Sequence, residues 1–323
     1  MRTRRSQSSS DPVSSHRSVL LHEAIDALDI QTNDVVLDAT LGAAGHAREI
    51  AGKLGHGGSF VGFDLDSDAI DRAEAALSPL AVRRVLINAN FRHLKKELEA
   101  RGIERIDKAL FDLGWSATQL EAGRGFSFLS DEPLLMTYAK DLSRSALTAA
   151  TIVNEWQESS LADIIFGWGE DRYSRRIARA IVERRERKPF TTARELAEVV
   201  RQAVPAPARR GRIHPATKTF QALRIAVNDE MGALRSGLDD AHELLAPGGR
   251  IAVITFHSIE DRAVKRLFLE WERGGRGRRV TKKPIVPTPE EVAENPRARS
   301  AKLRVFENQF HSYEKIRTKD QQI

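Results

Sequence analysis

Four residues near the start of the chain have the types and spacing of a nucleotide-binding turn. Asp38 ends a short apolar run, Gly42 and Gly45 follow it, and Asp64 ends a second apolar run 19 residues after Gly45. Glycines let a ligand approach the backbone at the start of a helix. An acid after the second strand accepts hydrogen bonds from ribose hydroxyls. This order predicts one strand–loop–helix–strand unit that binds an adenosine-like compound.

The loop between the first strand and the helix narrows the choice of ligand. Residues 38–45 (DATLGAAG) carry two glycines and do not form the Gly-x-Gly-x-x-Gly of a dinucleotide site. No lysine follows that could bind a pyrophosphate, which excludes a P-loop. Acids at the start of the loop and after the second strand suit a cationic compound without phosphate, and S-adenosylmethionine fits that description. The alternative is an ordinary βαβ unit with a glycine turn and no ligand.

Two further predicted strands bring more candidates to the same edge of the sheet. A third strand over residues 85–87 is followed by Phe91, and a fourth over residues 106–111 ends at Asp112. Phe91 could stack on a base, although an aromatic residue at such a junction is more often part of the core. Ligands of open α/β sheets bind outside the carboxyl ends of the strands. Four consecutive strand ends therefore present Asp38, Asp64, Phe91 and Asp112, which favours the cofactor interpretation.

The alternation of strands and helices stops after the fourth strand. Residues 115–212 show no convincing strand, and helical periodicity recurs over residues 146–156, 160–166, 173–187 and 193–203. Residues 217–245 predict helix again, and a strand over residues 248–256 ends at His257. We therefore predict a discontinuous α/β domain over residues 16–122 and 213–323. A helical insertion over residues 123–212 would interrupt it, after a disordered basic tail over residues 1–15.

The composition restricts the class of protein. The chain has 323 residues, 41% of them hydrophobic, and no cysteine. The absence of cysteine excludes disulfides and thiolate metal sites and fits a reducing cytoplasm. The sequence has no apolar run long enough to cross a membrane, and its histidines lack the spacing of metal ligands. We expect a cytoplasmic protein that binds no membrane and no metal. The net charge of +6 and pI near 9.6 indicate a polyanionic partner.

Two basic segments are candidates for phosphate contacts. One is the predicted helix with Arg175 and Arg176, which is basic on one face and apolar on the other. A solvated helix face explains that pattern equally well. The other is the Gly- and Arg-rich segment over residues 271–283, which contains Arg276, Arg278 and Arg279 and which we predict to be a mobile loop.

Blocks distributed over the chain resemble one family closely, the bacterial small-subunit (16S) rRNA cytosine-N4 methyltransferases of the RsmH or MraW type. The blocks are residues 16–23, 38–46 (DATLGAAGH), 112–116 (DLGWS), 119–121 (QLE), 124–128 (RGFSF), 169–183, 214–224 (HPATKTFQALR), 256–262 (FHSIEDR) and 295–304. They occur in the family's order and cover nearly the whole chain. The resemblance implies an α/β fold of the class I S-adenosylmethionine-dependent methyltransferases, with a Rossmann-like doubly wound sheet and an inserted all-α domain.

The resemblance also implies the cofactor, the reaction and the partner. The reaction would be methyl transfer from S-adenosylmethionine to N4 of a cytidine in the decoding region of 16S rRNA. The partner would be the small ribosomal subunit or its 16S rRNA, and a homodimer is left open. The implied cofactor residues are Ala44, Gly45, His46, Asp64, Phe91, Asp112 and Gln119, to which the pattern of residues adds Asp38 and Gly42.

The chemistry of an exocyclic amine suggests where the catalytic residues lie. The lone pair of such an amine is delocalised into the base, so the site must align it and accept hydrogen bonds from it. Asp112 is the first candidate, either as a cofactor contact or as the proton acceptor, and the Ser116 hydroxyl stands beside it in the sequence. His257 is a second-rank candidate on the substrate side, and a structural histidine is the alternative.

The chain differs from the family pattern at a loop glycine (Ala43 or Ala44), at a serine (Ala117) and, most extensively, in one block. Where the family has Pro-Leu-Asp-Met-Arg-Met-Asp, residues 133–139 read PLLMTYA, so two acids and an arginine are absent. This difference leaves two alternatives open: a methyltransferase with another RNA target, and a non-catalytic paralogue that binds RNA or the cofactor. DNA is a poorer candidate, because residues 112–115 (DLGW) lack the paired prolines of a DNA amino-methyltransferase.

Overall fold

The computed structural model describes residues 18–114, 123–139, 146–211 and 213–309. Within these residues, seven strands form one sheet in the order β3-β2-β1-β4-β5-β7-β6. The strands are β1 (Val35–Asp38), β2 (Ser59–Asp64), β3 (Arg83–Asn88), β4 (Ile106–Asp112), β5 (Leu245–Thr255), β6 (Gly277–Arg279) and β7 (Lys302–Asn308). Neighbours from β3 to β5 run parallel, whereas β7 runs antiparallel to both β5 and β6.

Helices cover both faces of the sheet and form a separate unit beside it. They are α1 (Leu21–Leu28), α2 (Gly45–Lys53), α3 (Ser67–Leu77), α4 (Leu94–Glu99), α5 (Ala149–Glu155), α6 (Glu158–Gly167), α7 (Ser174–Arg185), α8 (Ala193–Ala203), α9 (Ala206–Arg209), α10 (Ala216–Asn228), α11 (Glu230–Glu243), α12 (Ser258–Arg273) and α13 (Pro289–Glu294). Short 3₁₀ turns occupy Phe91–His93 and Pro296–Ser300.

The predicted doubly wound sheet is confirmed by the way neighbouring strand residues divide between two cores. Successive residues of a strand point to opposite faces, and each central strand is apolar on both. Val36 and Phe60 join the core with α1, α2 and α3, whereas Leu37 and Val61 join the core with α4, α11 and α12. Continuous β-branched and apolar runs are what a parallel sheet covered on both faces requires.

The helical insertion has its own apolar core. That core is built from α5 to α8 and also takes in Phe220 and Leu223 of α10. The chain therefore returns to the sheet after Asn228, one helix later than the boundary predicted at residue 212. Glu170 fastens the insertion to the sheet domain, because its carboxylate accepts a 2.6 Å hydrogen bond from Ser258 and pairs with Arg262.

Two segments differ from the sequence-based expectation. Residues 217–245 form two helices, because Asp229 adopts φ 45° and ends α10 before α11 begins. Of the segment predicted as a mobile loop over residues 271–283, residues 271–273 end α12 and Gly277–Arg279 form β6, whereas residues 274–276 and 280–283 lie outside helices and strands. The loop prediction was wrong for the helix and strand residues, because Gly277–Arg279 pair with the antiparallel strand β7.

Several predictions fall on other parts of the chain. The tail over residues 1–15, Ser116 and Gln119 lie outside the described residues. Within the described residues, no helix combines the length and the apolar character needed to cross a membrane.

The contact between α11 and the turn after β3 depends on Gly237. A Cβ atom there would lie 2.6 Å from Cδ2 of Phe91 and 3.0 Å from its carbonyl oxygen. We expect Gly237→Ala to displace the Phe91 ring and to lower the free energy of unfolding by about 1–3 kcal/mol. Gly52→Ala is the matched control, because Gly52 lies exposed in α2 with no atom within 4 Å of its Cβ position. It should raise stability by roughly 0.5–1 kcal/mol. Urea unfolding measures both, and an equally stable Gly237→Ala protein would contradict the packing.

Candidate active site

Three acids end neighbouring strands at the centre of the sheet. Asp64, Asp38 and Asp112 are the last residues of β2, β1 and β4, which lie side by side in that order. Asp38 is fully buried, and one of its oxygens accepts a 3.0 Å hydrogen bond from the Thr40 amide. The second oxygen of Asp38 and one oxygen of Asp112 are buried and find no partner among the described residues.

Burial is the main reason that the pKa values of these acids are raised. Burial, with a contribution from Asp64, raises the pKa of Asp38 from 3.8 to about 7. Burial raises the pKa of Asp112 well above its ordinary value, and the charges of Asp38 and Glu260 raise it further. Burial also raises the pKa of Asp64, although two backbone amides oppose this effect. Strongly shifted acids in a cleft are typical of a functional site.

The loop after β1 is held against the end of β2. Gly42 adopts φ 50° and donates its amide hydrogen to Asp64 at 2.9 Å, and Asp66 donates to the other oxygen of the same carboxylate. Ala44 adopts φ 64°, a left-handed conformation that costs a non-glycine residue about 1–2 kcal/mol. At Gly45, where α2 begins, a Cβ atom would lie 2.0 Å from Oγ of Ser18. The loop backbone therefore stays open at the ends of β1 and β2.

His46 links this loop to the end of β4. It is buried in the first turn of α2, with Nε2 3.2 Å from the carbonyl oxygen of Val19. A ring nitrogen facing a carbonyl carries the proton, which leaves Nδ1 on the side of Asp112, 3.5 Å from Oδ2. The structure thus brings the predicted cofactor residues of the first two strand ends together with Asp112.

A small open pocket lies beside the ends of β1 and β4. Thr40 and Gly114 line it from the ends of β1 and β4, and Phe91 lines it from the turn after β3. The Phe91 ring also packs edge-on against Phe111, with ring centroids 5.6 Å apart. Phe91 therefore belongs partly to the core while bordering the pocket, and its stacking on a base stays a prediction.

The opposite wall of the pocket is a network of buried charges. Arg224 pairs with both oxygens of Glu230 at 2.7 and 2.9 Å, and Tyr138 donates its hydroxyl hydrogen to Glu230 at 3.0 Å. Burial lowers the pKa of Arg224, but Glu230, Tyr138 and Glu260 together hold it above its ordinary value. This wall carries its own cation, unlike the acids at the strand ends.

His257 lies in the same network as the N-cap of α12. Its Nδ1 accepts the Glu260 amide at 3.3 Å, so Nε2 carries the proton and lies 3.0 Å from a Glu260 carboxylate oxygen. The same Glu260 carboxylate accepts the amide hydrogen of Phe256 at 2.8 Å. Both ring nitrogens of His257 are thus engaged within the protein. The arrangement favours a structural role for His257, which caps α12. A catalytic role for this residue stays a prediction.

One set of side chains in the described residues has the geometry of a metal site. Ligand atoms of Glu230, His257 and Glu260 lie within 4.8 Å of one another. Arg224 is bound to Glu230 and lies 3.8 Å from Glu260, so a guanidinium already supplies positive charge to both carboxylates.

The arginines that we predicted to contact a polyanion fall on two surfaces. Arg278 and Arg279 lie on the edge strand β6, paired with Glu307 and Glu272 at 2.7 and 2.6 Å. Arg276, just before β6, bonds to His242 at 2.8 Å. Arg175 and Arg176 are exposed on α7 and form no ion pair within the described part of the chain. Among the five predicted arginines, Arg175 and Arg176 are the two for which the described residues supply no ion-pair or hydrogen-bond partner.

The acids at the strand ends fit a cationic adenosine compound. The buried oxygens of Asp38 and Asp112 lack a hydrogen-bond partner, and a sulfonium or ammonium group would supply the missing positive charge. Asp64 retains lone pairs for ribose hydroxyls, because each of its oxygens accepts one backbone hydrogen bond. The residues present therefore suit S-adenosylmethionine.

Sequence reasoning missed the residues of the charged wall. Arg224 and Glu230 are six residues apart, but Tyr138 lies 92 residues before Glu230, and no single motif joins the three. The break at Asp229 turns Arg224 and Glu230 towards each other, and an uninterrupted helix over residues 217–245 would not do so. The sequence signals were the altered block over residues 133–139, which contains Tyr138, and the block over residues 214–224, which ends at Arg224.

Comparison with known proteins gives concordant results. A family model described as the MraW methylase family matches residues 13–309. A Paenibacillus sp. (strain JDR-2) protein named ribosomal RNA small subunit methyltransferase H is 46% identical over 314 residues, covering 90% of this chain and 98% of that protein. A Brevibacillus brevis protein of the same name is 44% identical over 308 residues, covering 90% and 97%. A solved rRNA methylase structure from Streptococcus thermophilus aligns with 91% of this chain and 98% of its own, with a TM-score of 0.42 and 14% identity.

The raised pKa of Asp38 makes a prediction about stability. The carboxyl titrates near 3.8 when unfolded and at about 7 when folded, so its protonated form favours the folded state. This contribution is complete below pH 4 and is lost as the pH rises through 7. We expect wild-type protein without ligand to lose about 2–3 kcal/mol relative to Asp38→Asn between pH 5 and pH 8.

Urea unfolding across this pH range measures the difference. Asp163→Asn, which removes an exposed carboxylate from α6, is the control and should follow wild type. Parallel curves for wild type and Asp38→Asn would contradict the assignment.

Proposed function

The chain belongs to the MraW methylase family, and we propose that it methylates N4 of a cytidine in the decoding region of 16S rRNA. The general reaction in this proposal is methyl transfer from S-adenosylmethionine to small-subunit rRNA. It agrees with the family and with the names of relatives at 44–46% identity. The cytidine and its region come from the resemblance of the sequence motifs. The expected location is the cytoplasm, where small subunits are assembled.

One observation supports this proposal above the others. Asp38 and Asp112 each keep a buried carboxylate oxygen without a partner among the described residues, on neighbouring strands. Such a pair is costly unless a cation arrives with the ligand. S-adenosylmethionine, when bound, supplies an activated methyl group on a positively charged sulfur. A neutral or phosphate-bearing nucleotide would leave these acids uncompensated.

Each predicted cofactor residue has a role in this proposal. Asp64 would accept hydrogen bonds from the ribose hydroxyls while it holds the Gly42 amide. Gly45 and His46 begin α2, whose N-terminal amides point to the loop and favour a carboxylate there. Phe91 would border the base, and Asp38 would provide negative charge beneath the loop. Gln119 keeps its proposed cofactor contact by resemblance alone.

Asp112 is the proposed proton acceptor. As the amine gains a carbon substituent, positive charge develops on its nitrogen and an N–H proton must leave. A carboxylate with a raised pKa is the stronger base, and Oδ2 of Asp112 lies beside Nδ1 of His46. We assign the proton to Asp112, with His46 stabilising the protonated carboxyl. Ser116 is kept as a second proposed hydrogen-bonding group, and His257 as a residue that positions Glu260.

The exposed face of α7 is the proposed RNA contact. Arg175 and Arg176 are uncompensated there, and the same helix starts next to Glu170, which contacts α12. Glu170 lies four residues before α7 and contacts Ser258 at the start of α12. Arg278 and Arg279 lie on the far edge of the sheet and already bind acids.

The proposal is tested by methyl transfer from labelled S-adenosylmethionine to small subunits that lack base methylation. The modified nucleoside is identified by mass. N4-methylcytidine would support the proposal, whereas another methylated nucleoside would show a different target. Cofactor binding without any transfer would indicate a protein that has kept the pocket and lost the reaction.

Asp112→Asn tests the assignment of the proton acceptor. The amide keeps the shape of the side chain but cannot accept the proton, so transfer should fall about 100-fold or more at saturating cofactor. Asp64→Asn is the comparison, because it should weaken S-adenosylmethionine binding and recover activity at high cofactor concentration. Isothermal titration and single-turnover rates separate the two effects. An active Asp112→Asn protein would remove Asp112 from proton transfer.

Salt dependence tests the RNA surface. Arg175→Ala with Arg176→Ala removes two free cations, which should reduce the slope of log affinity against log salt by roughly 1.4–1.8. Arg278→Ala with Arg279→Ala is the matched control, because both guanidinium groups are paired within the protein. Its slope should equal that of wild type in filter binding to small-subunit RNA. The reverse result would move the RNA contact to β6.

A further inference from the structure

The pocket beside Asp112 has one wall that the cofactor chemistry does not explain. Asp64, the residue that marks the ribose position, is absent from its lining. The lining instead includes Tyr138 from the insertion and Asn228 and Glu230 from the junction of α10 and α11. The pocket is therefore bordered by Phe91 and Gly114 at the strand ends on one side and by residues outside the predicted cofactor set on the other.

Tyr138 is held rigidly in that wall. Its amide donates to Asn228 at 2.9 Å, and its carbonyl oxygen accepts from Arg124 at 2.7 Å. The ring stacks on Phe126 with ring centroids 5.7 Å apart. Arg124 also bonds to Asp66 at 3.2 Å, which ties this part of the insertion to the end of β2. The position of the Tyr138 hydroxyl is therefore set before any ligand binds.

The direction of the Tyr138 hydrogen bond limits what its hydroxyl can offer. Arg224 donates hydrogen bonds to both carboxylate oxygens of Glu230. Glu230 is therefore a hydrogen-bond acceptor towards Tyr138. A hydroxyl has one hydrogen, and Tyr138 gives it to Glu230 at 3.0 Å. Burial keeps the pKa of Tyr138 well above its ordinary value, so the phenol stays protonated. The lone pairs of the hydroxyl oxygen are what remain for a ligand.

We propose that the pocket between Gly114 and Tyr138 is the binding site of the target base, and that Tyr138 selects a pyrimidine that carries an exocyclic amine. Cytosine presents an N–H donor at position 4, which a lone pair of the hydroxyl oxygen can accept. Uracil presents a carbonyl oxygen there, which would face another acceptor. This proposal rests on the proposed function and adds to it the residue that distinguishes the two pyrimidines.

The position of Tyr138 in the sequence supports a role in selection rather than in folding. It lies in the block where the family pattern has methionine, a side chain without a donor or a comparable acceptor. Its neighbours Leu134 and Met136 are buried in the core of the insertion, whereas Tyr138 is only partly buried. Leu134 and Met136 therefore pack within the insertion, and Tyr138 is the residue of this block that borders the pocket.

The test is equilibrium binding of cytidine and uridine to the full chain with saturating S-adenosylhomocysteine, followed by saturation-transfer NMR. Wild type should prefer cytidine about 10- to 100-fold, the effect of exchanging one hydrogen bond for an acceptor–acceptor contact. Tyr138→Phe should reduce the preference to less than about 3-fold. Tyr173→Phe is the matched control, because Tyr173 is a partly buried tyrosine of the insertion whose hydroxyl bonds to Arg172. It should keep the wild-type preference.

The measurement uses no methyl transfer, so its failure is distinct from failure of the proposed function. A wild-type protein that binds both nucleosides alike, or binds neither, overturns the assignment. A Tyr138→Phe protein that keeps the preference for cytidine does the same. Loss of S-adenosylhomocysteine affinity in Tyr138→Phe with unchanged nucleoside preference would assign Tyr138 to the cofactor and also overturns it. Absence of transfer to small subunits would contradict the proposed function alone.

Discussion

The burial of three acids at the ends of β2, β1 and β4 is the constraint on which the site depends. Removing a carboxylate from water without a partner costs several kcal/mol, and proteins usually avoid it by pairing or protonation. Here the pKa of Asp38 is raised to about 7 and that of Asp112 is raised well above its ordinary value. The fold tolerates this cost because the surrounding strands are stabilised on both faces by large apolar cores. A positively charged ligand would offset part of the free-energy cost of burying these carboxylates when it binds.

In the charged wall of the pocket, unlike at the strand ends, the acids lie close to a cation of the protein itself. Glu260 is buried and Glu230 is largely buried, and Arg224 contacts Glu230 at 2.7 Å and lies 3.8 Å from Glu260. Burial alone would raise the pKa of Glu260, but the hydrogen bond from His257 and the charge of Arg224 hold it below its ordinary value. One side of the pocket thus needs an external cation, and the other is internally neutralised and rigid. Such a division suits a site that must bind a charged cofactor and orient an uncharged base.

The central part of the sheet and its acids could be predicted because local sequence decides them. Short apolar runs that end in Asp38, Asp64 and Asp112 form strands in a sheet whose two faces are both covered by helices. Gly42 adopts a left-handed conformation, which glycine allows. The strand β6 and the break at Asp229 could not be predicted, because each depends on a partner distant in sequence. Pairing with β7 orders Gly277–Arg279, and packing of α10 on the insertion sets the turn at Asp229. The Tyr138–Glu230–Arg224 network depends on that turn, so no pattern of spacing reveals it.

The altered block over residues 133–139 can now be interpreted position by position. Leu134 and Met136 are 1% exposed and fill the core of the insertion, so the family's apolar positions there are retained for packing. Thr137 is buried, and Tyr138 borders the pocket. The block therefore keeps these packing residues and has two neutral hydroxyls, those of Thr137 and Tyr138, in place of a set of charges. The acids at the strand ends belong to other elements and are unaffected by the exchange. A change confined to this block would alter which base the pocket accepts while leaving the cofactor site as it is, which is why recognition could diverge here without loss of the fold.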